Sequence, residues 1–397
     1  MKNSSLHVGI DATCWSNDRG FGRFTRELVK ALARRDSGIR YTLIFDTEPH
    51  TPTPEGVEVL IASAGQSLRV QSAGTSQRSA HYLFQLGKLA SRAKFDVFFF
   101  PAVYSYFPLL SRTPCVICYH DTIAERFPDL IFPTRRNFRL WQIKTFLSKL
   151  QARRAMTVSE ASAREIESML KIPRTKIDMV TEGPDPVFRI LNDPAAVLDT
   201  RKQLGIPRDA NLLVYVGGFN RHKNLIGLLR AMRPVLELRA DVHLAIVGDT
   251  SGEGFWDNFP ELRGIVRNDP VLEKAITFTG YLSDETLVRL LNGAAALVFP
   301  SLAEGFGLPA VEAMACGIPV LASDRGSLPE VVGDAGLLFN PEDPAAISAR
   351  LTEFLADPDL QKRLSAAARK RVALFTWDRA AALAEESFRR CASSGRR

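Results

Sequence analysis

The run of residues that decides the fold is Glu304-Gly305-Phe306-Gly307-Leu308-Pro309-Ala310-Val311-Glu312. Pro309 has a fixed φ and no amide hydrogen to lose, so it suits the first position of a helix. We therefore predict a helix over residues 309–316, with Gly317 just past its end and a strand over residues 320–322. A loop, a helix and a strand in this order form one unit of a parallel α/β sheet.

The start of this predicted helix suits a ligand that carries both hydroxyls and phosphate. The backbone amides of Phe306, Gly307 and Leu308 lack partners inside the helix, and the positive end of the helix dipole attracts an anion there. Glu304 and Glu312 flank the turn, and carboxylates accept hydrogen bonds from hydroxyl pairs and stabilise a developing positive charge. The same residues also make an ordinary helix start, so the run alone leaves both interpretations open.

Apolar runs of strand length alternate with helical patterns along the chain. Because such alternation implies parallel sheets covered on both faces, we predict an α/β fold with two Rossmann-like domains, over residues 1–190 and 191–375. A stretch rich in Ser, Gln and Gly, residues 66–79, is predicted to be a loop. The predicted strands are residues 6–10, 41–45, 95–100, 116–119, 156–159, 212–216, 243–247, 276–279, 296–299 and 320–322.

The excess of basic residues behind the formal net charge of +7 lies in the first half of the chain. It is densest over residues 126–154, where Asp129 is the one acidic residue and where Leu140, Ile143 and Phe146 are interleaved. This basic amphipathic stretch predicts either a solvated helix over an ordinary core stripe or a peripheral contact with an anionic membrane. Its basic residues are Arg126, Arg135, Arg136, Arg139, Lys144, Lys149, Arg153 and Arg154.

Composition argues against several other classes of protein. No apolar run reaches the roughly 18 residues that a membrane span needs, and the first residues show no signal-peptide hydrophobic region, so we expect a cytoplasmic protein. Cys115 and Cys118 have C-x-x-C spacing inside an apolar, strand-like run without a second pair, so we predict no metal site. No recognised motif accompanies the positive charge, so we predict no nucleic-acid partner.

Three segments of the second half carry a resemblance to a known family. The run Glu304 to Glu312, with Ala315-Cys316-Gly317-Ile318-Pro319-Val320 and Gly326-Ser327-Leu328-Pro329-Glu330-Val331, resembles the E-x7-E region of retaining glycosyltransferases of family 4. The resemblance covers nearly the whole chain and implies the GT-B fold, two Rossmann-like domains with parallel sheets that face each other across a cleft. It also implies that the first domain binds the acceptor, that the second binds a nucleotide-sugar donor, and that the last helix, residues 376–397, packs back on the first domain.

Residues 217–224 follow a predicted strand and suit a diphosphate. Lys223 supplies a point charge there, and Arg221 can bind two oxygens at once. A surface-exposed basic turn is the alternative interpretation. Many family members resemble this segment but carry an arginine where this chain has Gly218, so it stays open whether Arg221 replaces that arginine.

The run Gly20-Phe21-Gly22-Arg23-Phe24 follows the first predicted strand and opens the first predicted helix. A bare G-x-G pattern is weak and fits a tight turn equally well. The resemblance implies that this loop contacts the donor diphosphate or the acceptor. It therefore makes Gly22 a candidate for the donor diphosphate, and Gly20 and Arg23 candidates for an acceptor or phosphate loop.

Other candidate residues also follow strands. His120 and Asp121 lie directly after a predicted strand, where a packed or capping role is common. The resemblance implies that His120 contacts the donor sugar, while Asp121 either caps the next helix or orients His120. It further implies that Gly280 and Tyr281 border the nucleotide base, although strand-end packing explains them as well, and it gives Ser159-Glu160 and Glu182-Gly183 only cleft-lining roles.

The resemblance implies transfer of a hexose from a nucleoside-diphosphate sugar to an acceptor hydroxyl, with retention of anomeric configuration. Glu304 and His120 would be the catalytic residues, and Glu312 would bind the ribose. The diphosphate would be held by Arg221, Lys223, Gly22, Gly307 and Leu308. With these cations and amides in place, we predict neither a metal nor a cofactor.

The substrates are less constrained than the reaction. The donor is expected to be GDP- or UDP-linked, and the loop variants resemble mannosyltransferases most, which favours mannose or a similar hexose. The acceptor is expected to be a saccharide or a lipid-linked molecule in polysaccharide, glycolipid or glycoconjugate biosynthesis. Two alternatives stay open, a nucleotide-sugar epimerase of the same fold and a non-catalytic nucleotide-sugar-binding protein.

Overall fold

The computed structural model describes residues 6–17, 20–62, 79–250 and 258–393. Within it the chain forms two compact units, of which unit 1 comprises Met1–Glu182 and Trp377–Arg397 and unit 2 comprises Gly183–Thr376. The sequence-based boundaries were residues 190 and 375. Of the loop predicted over residues 66–79, all but Ser79 lies outside the described residues.

Unit 1 is built on one parallel sheet. Its strands are β1 (His7–Asp11), β2 (Arg40–Phe45), β3 (Glu58–Ile61), β4 (Val97–Phe100), β5 (Cys115–Cys118), β6 (Ala152–Thr157) and β7 (Ile177–Met179). They pair in the order β3-β2-β1-β4-β5-β6-β7. β4 reads Val-Phe-Phe-Phe and is buried along its whole length, as expected of a central strand covered on both faces.

Helices follow most of these strands. They are α1 (Gly20–Ala33), α2 (Ala80–Arg92), α3 (Ile123–Arg126), α4 (Pro128–Ile131), α5 (Arg135–Gln151) and α6 (Glu160–Glu165), which continues as a π-helical segment, Ile166–Leu170. Side-chain caps begin several of them, among them Thr134 at α5 and Ser159 at α6.

Unit 2 repeats this architecture. Its strands are β8 (Asn211–Val216), β9 (Val242–Val247), β10 (Ile276–Gly280), β11 (Ala296–Phe299), β12 (Val320–Ser323) and β13 (Gly336–Phe339), in the parallel order β10-β9-β8-β11-β12-β13. Its helices are α7 (Pro194–Gln203), α8 (Leu225–Leu238), α9 (Phe259–Arg267), α10 (Pro270–Ala275), α11 (Asp284–Asn292), α12 (Leu308–Ala315), α13 (Leu328–Val332), α14 (Pro344–Ala356) and α15 (Pro358–Arg371). Two Rossmann-like units with parallel sheets confirm the predicted α/β fold class.

The last helix, α16 (Trp377–Ser393), belongs to unit 1, where it packs on α1 and on β4 to β7. Phe388 of α16 packs against Phe99 with tilted rings, whose centroids are 5.2 Å apart. Asp178, at the end of the sheet, accepts hydrogen bonds from Ser387 of α16 and from Arg154. The C-terminal residues therefore complete the core of the first unit of the chain.

The sequence analysis missed β3, β7 and β13. All three lie at a sheet edge, and none exceeds four residues. An edge strand is covered less completely than a central one: most residues of β3 and β13 are only half-buried, and Asp178 interrupts the apolar pattern of β7.

Candidate functional site

The order of strands in unit 2 marks a point where a ligand can bind. From β8 the chain runs outward through β9 and β10 on one side, and β11 then continues the sheet on the other side. In open parallel sheets ligands bind beyond the carboxyl ends of the strands at such a switch point. Lys223 lies in the loop after β8 and Glu304 in the loop after β11, so the two residues flank this point.

Lys223 and Glu304 form a mostly buried ion pair. The Lys223 Nζ lies 2.6 Å from Glu304 Oε1, and 18% and 9% of the two side chains are exposed. Nζ also lies 5.8 Å from the centre of the Phe299 ring. An ammonium group has three donors, so Lys223 can hold Glu304 and still donate to a bound anion. The two groups predicted to act on phosphate and sugar are therefore neighbours.

Two further hydrogen bonds join the loops that carry this pair. The amide of Leu302 donates to the carbonyl of His222 at 2.8 Å, and the side-chain amide of Asn224 donates to the carbonyl of Pro300 at 3.2 Å. Asn224 has a positive φ of 57°, which asparagine tolerates better than most residues. The backbone between the two strands is thus held in one arrangement around Lys223 and Glu304.

The three basic residues in the loop after β8 lie in different surroundings. Arg221 is half exposed and pairs with Glu261 of α9, with 3.1 Å between nitrogen and oxygen. His222 is buried, and burial together with the charge of Lys223 lowers its pKa to about 3, so it is neutral at physiological pH. Lys223 is the member that the structure brings to Glu304. A turn that reads as uniformly basic in sequence therefore places one cation at the carboxylate and one at the surface.

The backbone of Glu304 is clamped by the segment before α13. The hydroxyl of Ser327 donates to the carbonyls of Glu304 at 3.2 Å and Phe306 at 2.7 Å. Gly326 has a φ of +60°, and a Cβ there would lie 2.7 Å from the Glu304 carbonyl oxygen. Gly326 and Ser327 contributed to the family resemblance, but sequence reasoning gave them no part in the site.

Helix α12 begins one residue earlier than predicted, which makes Pro309 its second residue. Gly307 precedes it with a φ of +98°, and a Cβ on Gly307 would lie 2.8 Å from Leu328. Backbone conformation and packing therefore both require a glycine at this position. The amide of Leu308 lies in the first turn, and Glu312 follows in the same helix, where it is buried.

Gly280 and Tyr281 lie two strands away from the switch point. β10 ends at Gly280, which has a φ of +75° and whose carbonyl accepts a hydrogen bond from the Gly248 amide after β9. The Tyr281 side chain is 67% exposed. An exposed ring at the carboxyl edge of the sheet suits stacking, and its assignment to a nucleotide base stays a prediction.

In unit 1 the corresponding switch point lies between β1 and β4, and α1 follows β1. Gly20 is exposed at the start of α1, and a Cβ there would meet open space. Gly22 is buried, and a Cβ would lie 2.0 Å from the Asn17 carbonyl oxygen. Arg23 is half-buried. Close packing therefore accounts for Gly22, whereas Gly20 stays exposed.

His120 lies after β5 and is buried, with both ring nitrogens beside acceptors. Nε2 lies 2.9 Å from the carbonyl oxygen of Pro101, and Nδ1 lies 3.5 Å from Glu182 Oε1. Phe24 of α1 meets the ring edge to face, with centroids 4.7 Å apart. Burial disfavours a charged ring, but the Cys118 side chain and the Glu182 carboxylate outweigh burial and hold the pKa of His120 well above its ordinary value.

Glu182 is the functional candidate whose role the sequence analysis did not find. It had only a cleft-lining role, yet its carboxylate is the one that faces the His120 ring. Asp121, the neighbour in sequence, instead accepts a hydrogen bond from the Ile123 amide at 2.9 Å, at the start of α3. Of the two roles left open for Asp121, the geometry therefore favours the turn before the helix.

Among residues 6–17, 20–62, 79–250 and 258–393, no three His, Cys, Asp or Glu side chains are grouped so as to hold a metal ion. Within the same ranges, no helix has both the length and the apolar character needed to cross a membrane.

Family models match both halves of the chain. One described as glycosyl transferases group 1 matches residues 197–371, and one described as glycosyltransferase family 4 matches residues 19–187. The two matches correspond closely to units 2 and 1.

Curated relatives include two kinds of glycosyltransferase. The chain is 32% identical over 263 residues to O-antigen chain mannosyltransferase B of Escherichia coli, which covers 66% of this chain and 67% of the relative. It is 32% identical over 253 residues to D-inositol 3-phosphate glycosyltransferase of Streptomyces avermitilis, which covers 62% of this chain and 53% of the relative. The chain thus spans about half the length of the second relative.

Solved structures show the same fold. Sucrose-phosphate synthase from Thermosynechococcus elongatus matches with a TM-score of 0.77 at 22% identity, over 98% of this chain and 100% of that one. WaaG, a glycosyltransferase involved in lipopolysaccharide biosynthesis, matches with a TM-score of 0.70 at 16% identity, over 96% and 98%. At these sequence identities the similarity shows only the fold, and it confirms the predicted GT-B fold.

Proposed function

The chain belongs to the group 1 glycosyltransferases of family 4, and from this premise we propose that it is a retaining hexosyltransferase. It would transfer a hexose from a nucleoside-diphosphate sugar, bound by unit 2, to an acceptor hydroxyl bound by unit 1. The family is established by sequence, while the sugar, the acceptor and the stereochemistry are our proposal.

The observation that carries the proposal is the Lys223–Glu304 pair beside the start of α12. The leaving group of a nucleotide sugar is a diphosphate whose negative charge grows in the transition state, and the reacting sugar carbon becomes positive at the same time. Lys223 and the amides of Gly307 and Leu308 suit the first charge, and the Glu304 carboxylate suits the second. A cation and an anion 2.6 Å apart match a transition state in which both charges develop side by side.

The remaining assignments follow from this arrangement. Glu312 would accept hydrogen bonds from the ribose hydroxyls, Tyr281 and Gly280 would border the base, and Arg221 would assist at the diphosphate. Since Lys223, Arg221 and the amides at the start of α12 would supply the positive charge, we propose that no divalent metal is needed, so turnover should persist in EDTA.

Retention would arise from front-face attack, in which the departing phosphate accepts the proton of the acceptor hydroxyl. The bond between the sugar and the diphosphate oxygen breaks, a bond to the acceptor oxygen forms on the same face, and the nucleoside diphosphate leaves with the proton. Both ring nitrogens of His120 lie beside protein acceptors. In this scheme the ring is therefore held in one position in unit 1 and acts through its positive charge.

For the donor we propose a GDP-linked hexose, mannose above all. The loops of residues 20–24 and 217–224 favour it, and the mannosyltransferase of E. coli is a relative over two thirds of its length. For the acceptor we propose a lipid-linked saccharide at a membrane surface, because the basic residues of the chain concentrate in unit 1, the unit that would bind the acceptor.

Thermal unfolding with GDP, UDP and ADP, each free and as its hexose conjugate, tests the donor site. A ligand at about 100 times its Kd stabilises the native state by about 2.7 kcal/mol, so the preferred donor should raise Tm measurably. If none of these nucleotides raises Tm, the proposed donor site is wrong.

Product analysis with the donor that raises Tm most tests the reaction. A new glycoside with the donor's anomeric configuration, formed only in the presence of acceptor, would support the proposal. An epimerised sugar or sugar nucleotide formed without acceptor would instead identify an epimerase. Nucleotide binding without any conversion, across saccharide and lipid-linked acceptors, would favour a binding protein.

A further inference from the structure

Helix α5 faces solvent with its apolar side. Five of its large apolar residues are between 39% and 67% exposed, whereas the side that packs on unit 1 carries Trp141, Thr145 and Ser148. At 100° per residue around the helix axis, these five exposed residues lie within an arc of about 120° of the helix circumference. They are Leu140, Ile143, Phe146, Leu147 and Leu150, which we call the outer face of α5. A helix of a soluble protein normally buries such a stripe. Because these five side chains are exposed, they do not belong to the core, and the core-stripe interpretation is wrong for them.

Polar bonds hold the inner side of α5 on unit 1. Trp141 donates from Nε1 to Glu125 at 2.8 Å, and the hydroxyl of Ser148 pairs with that of Tyr119 at 2.8 Å. Gln151 bonds both the amide and the carbonyl of Leu109. The helix is thus fixed through its inner side and cannot bury its outer face by rotating.

The cations of the basic stretch divide into two sets. Lys144 and Lys149 donate to backbone carbonyls, Arg154 pairs with Asp178, and Arg126 pairs with Glu165. Arg135, Arg136 and Arg139, in the first turns of α5, are exposed and form no ion pair within the described part of the chain. Between residues 130 and 159 the sequence contains no Asp or Glu. The outer face therefore adjoins uncompensated positive charge.

We propose that the outer face of α5 docks on an anionic lipid bilayer. The apolar side chains would enter the interface between headgroups and acyl chains, while the three arginines bind the phosphates of anionic headgroups. A second copy of this chain is a poorer occupant, because a symmetric contact would bring the same arginines together without a carboxylate between them.

The contacts of Trp141 connect this surface to the loops of unit 1. Trp141 stacks on Tyr104 with ring centroids 5.2 Å apart, and Tyr104 packs on Phe21, between Gly20 and Gly22, at 5.6 Å. A bilayer under α5 would therefore lie near the loop proposed to meet the acceptor. This last step rests on the proposed function, whereas lipid binding itself does not.

Flotation of the purified protein with vesicles tests the docking. We expect binding at about 0.15 M salt to phosphatidylcholine vesicles that contain about 30% phosphatidylglycerol, and much weaker binding to phosphatidylcholine alone. The variants Phe146→Gln with Leu150→Gln, and Arg136→Glu with Arg139→Glu, should each reduce the bound fraction about tenfold or more. All four residues are exposed, so the fold should tolerate these changes.

Matched controls lie in unit 2. Leu238→Gln removes an exposed apolar side chain from α8, and Arg363→Glu with Lys370→Glu makes the same charge change on exposed positions of α15. Both should float as the wild type does. Absence of flotation by the wild type, equal loss in the controls, or no loss in the α5 variants would overturn the proposal. If the wild type self-associates but does not float, and the Phe146 variant no longer self-associates, the outer face of α5 is a protein contact and the proposal is wrong.

Donor binding separates this inference from the proposed function. If the α5 variants lose flotation but keep the nucleotide-induced rise in Tm and transfer to a soluble acceptor, the docking surface and the enzyme are both supported. If the wild type floats but no nucleotide raises its Tm, the docking stands and the proposed function fails.

Discussion

Each unit of the molecule places a buried cation beside a carboxylate in its loops, but the two pairs differ in kind. In unit 2, Lys223 and Glu304 follow neighbouring strands at the switch point and lie 2.6 Å apart. In unit 1, His120 and Glu182 are 3.5 Å apart, and the positive partner is an imidazole ring whose pKa is held well above its ordinary value. Unit 2 thus pairs its carboxylate with an ammonium group at the switch point, whereas unit 1 pairs its carboxylate with an imidazole ring that can lose its proton.

The largest effect is expected at the carboxylate of unit 2. Glu304→Gln keeps the shape of the side chain but removes the charge that would stabilise the positive sugar carbon. We expect turnover to fall on the order of 100-fold or more, while the nucleotide-induced rise in Tm persists. Initial rates with saturating donor, alongside thermal unfolding with the free nucleoside diphosphate, measure both quantities.

The control for this variant is Glu342→Gln, which neutralises an exposed carboxylate paired with Arg325 in the same unit. It should leave turnover unchanged. Wild-type turnover in Glu304→Gln would remove Glu304 from the chemistry and with it the proposed division between the two pairs.

A smaller effect is expected when the lysine of unit 2 is replaced. Lys223→Met keeps most of the length of the side chain but removes the ammonium group proposed to bind the diphosphate, and hydrogen bonds to charged groups contribute about 1.5–3 kcal/mol. The Kd for the nucleoside diphosphate should therefore rise by about 10- to 100-fold in isothermal titration. Tm without ligand should also fall, because Glu304 is left buried without its partner.

Arg221→Gln provides the comparison within the same loop. Arg221 is half exposed and already paired with Glu261, so we expect its loss to raise the Kd less than the loss of Lys223 does. An equal or larger effect at Arg221 would show that it takes the place of the arginine that family members carry at the position of Gly218.

The sequence analysis gave a specific role to both members of the pair in unit 2 but only to His120 in unit 1, for a physical reason. Lys223 and Glu304 each lie within eight residues of a strand end, and glycines and a proline mark the turns around them. Glu182 follows β7, an edge strand that the sequence analysis missed, so the sequence did not place this carboxylate beside His120. Such a contact depends on how the strands are ordered in the sheet.

Helix α5 illustrates a second limit. Periodicity in its sequence predicts that Leu140, Ile143 and Phe146 share one side of a helix, and the structure agrees. It does not predict which side packs on unit 1, because that depends on Trp141 and Ser148 finding the partners Glu125 and Tyr119. Tertiary contacts decided the orientation against the usual preference for buried apolar residues.

The pair in unit 1 predicts a pH-dependent contribution to stability. The Cys118 side chain and the Glu182 carboxylate raise the pKa of folded His120. The charged ring therefore stabilises the fold fully below the pKa of about 6.5 expected for an unfolded histidine, and this contribution is lost as pH rises through the raised value. Glu182→Gln should lower the pKa of His120 in an NMR titration. It should also lower Tm most at acidic pH and least at alkaline pH.

The matched control is Glu160→Gln, because Glu160 also follows a strand of unit 1 but pairs with Arg174 at the surface. Its Tm difference from the wild type should be small at every pH. If the two variants give the same pH profile, His120 does not depend on Glu182 for its charge and the contrast between the units disappears.

The smallest expected effects concern two serines that hold the backbone behind each pair. Ser327 donates to the carbonyl of Glu304, and Ser162 donates to the carbonyl of His120 at 2.9 Å. Both are buried, so replacing either with alanine should cost about 1 kcal/mol in urea unfolding. In addition, Ser327→Ala should lower turnover a few-fold, because Glu304 must be positioned for chemistry, while Ser162→Ala should leave turnover near the wild-type value. Equal losses of turnover in the two variants would mean that unit 1 positions its charge as strictly as unit 2 does.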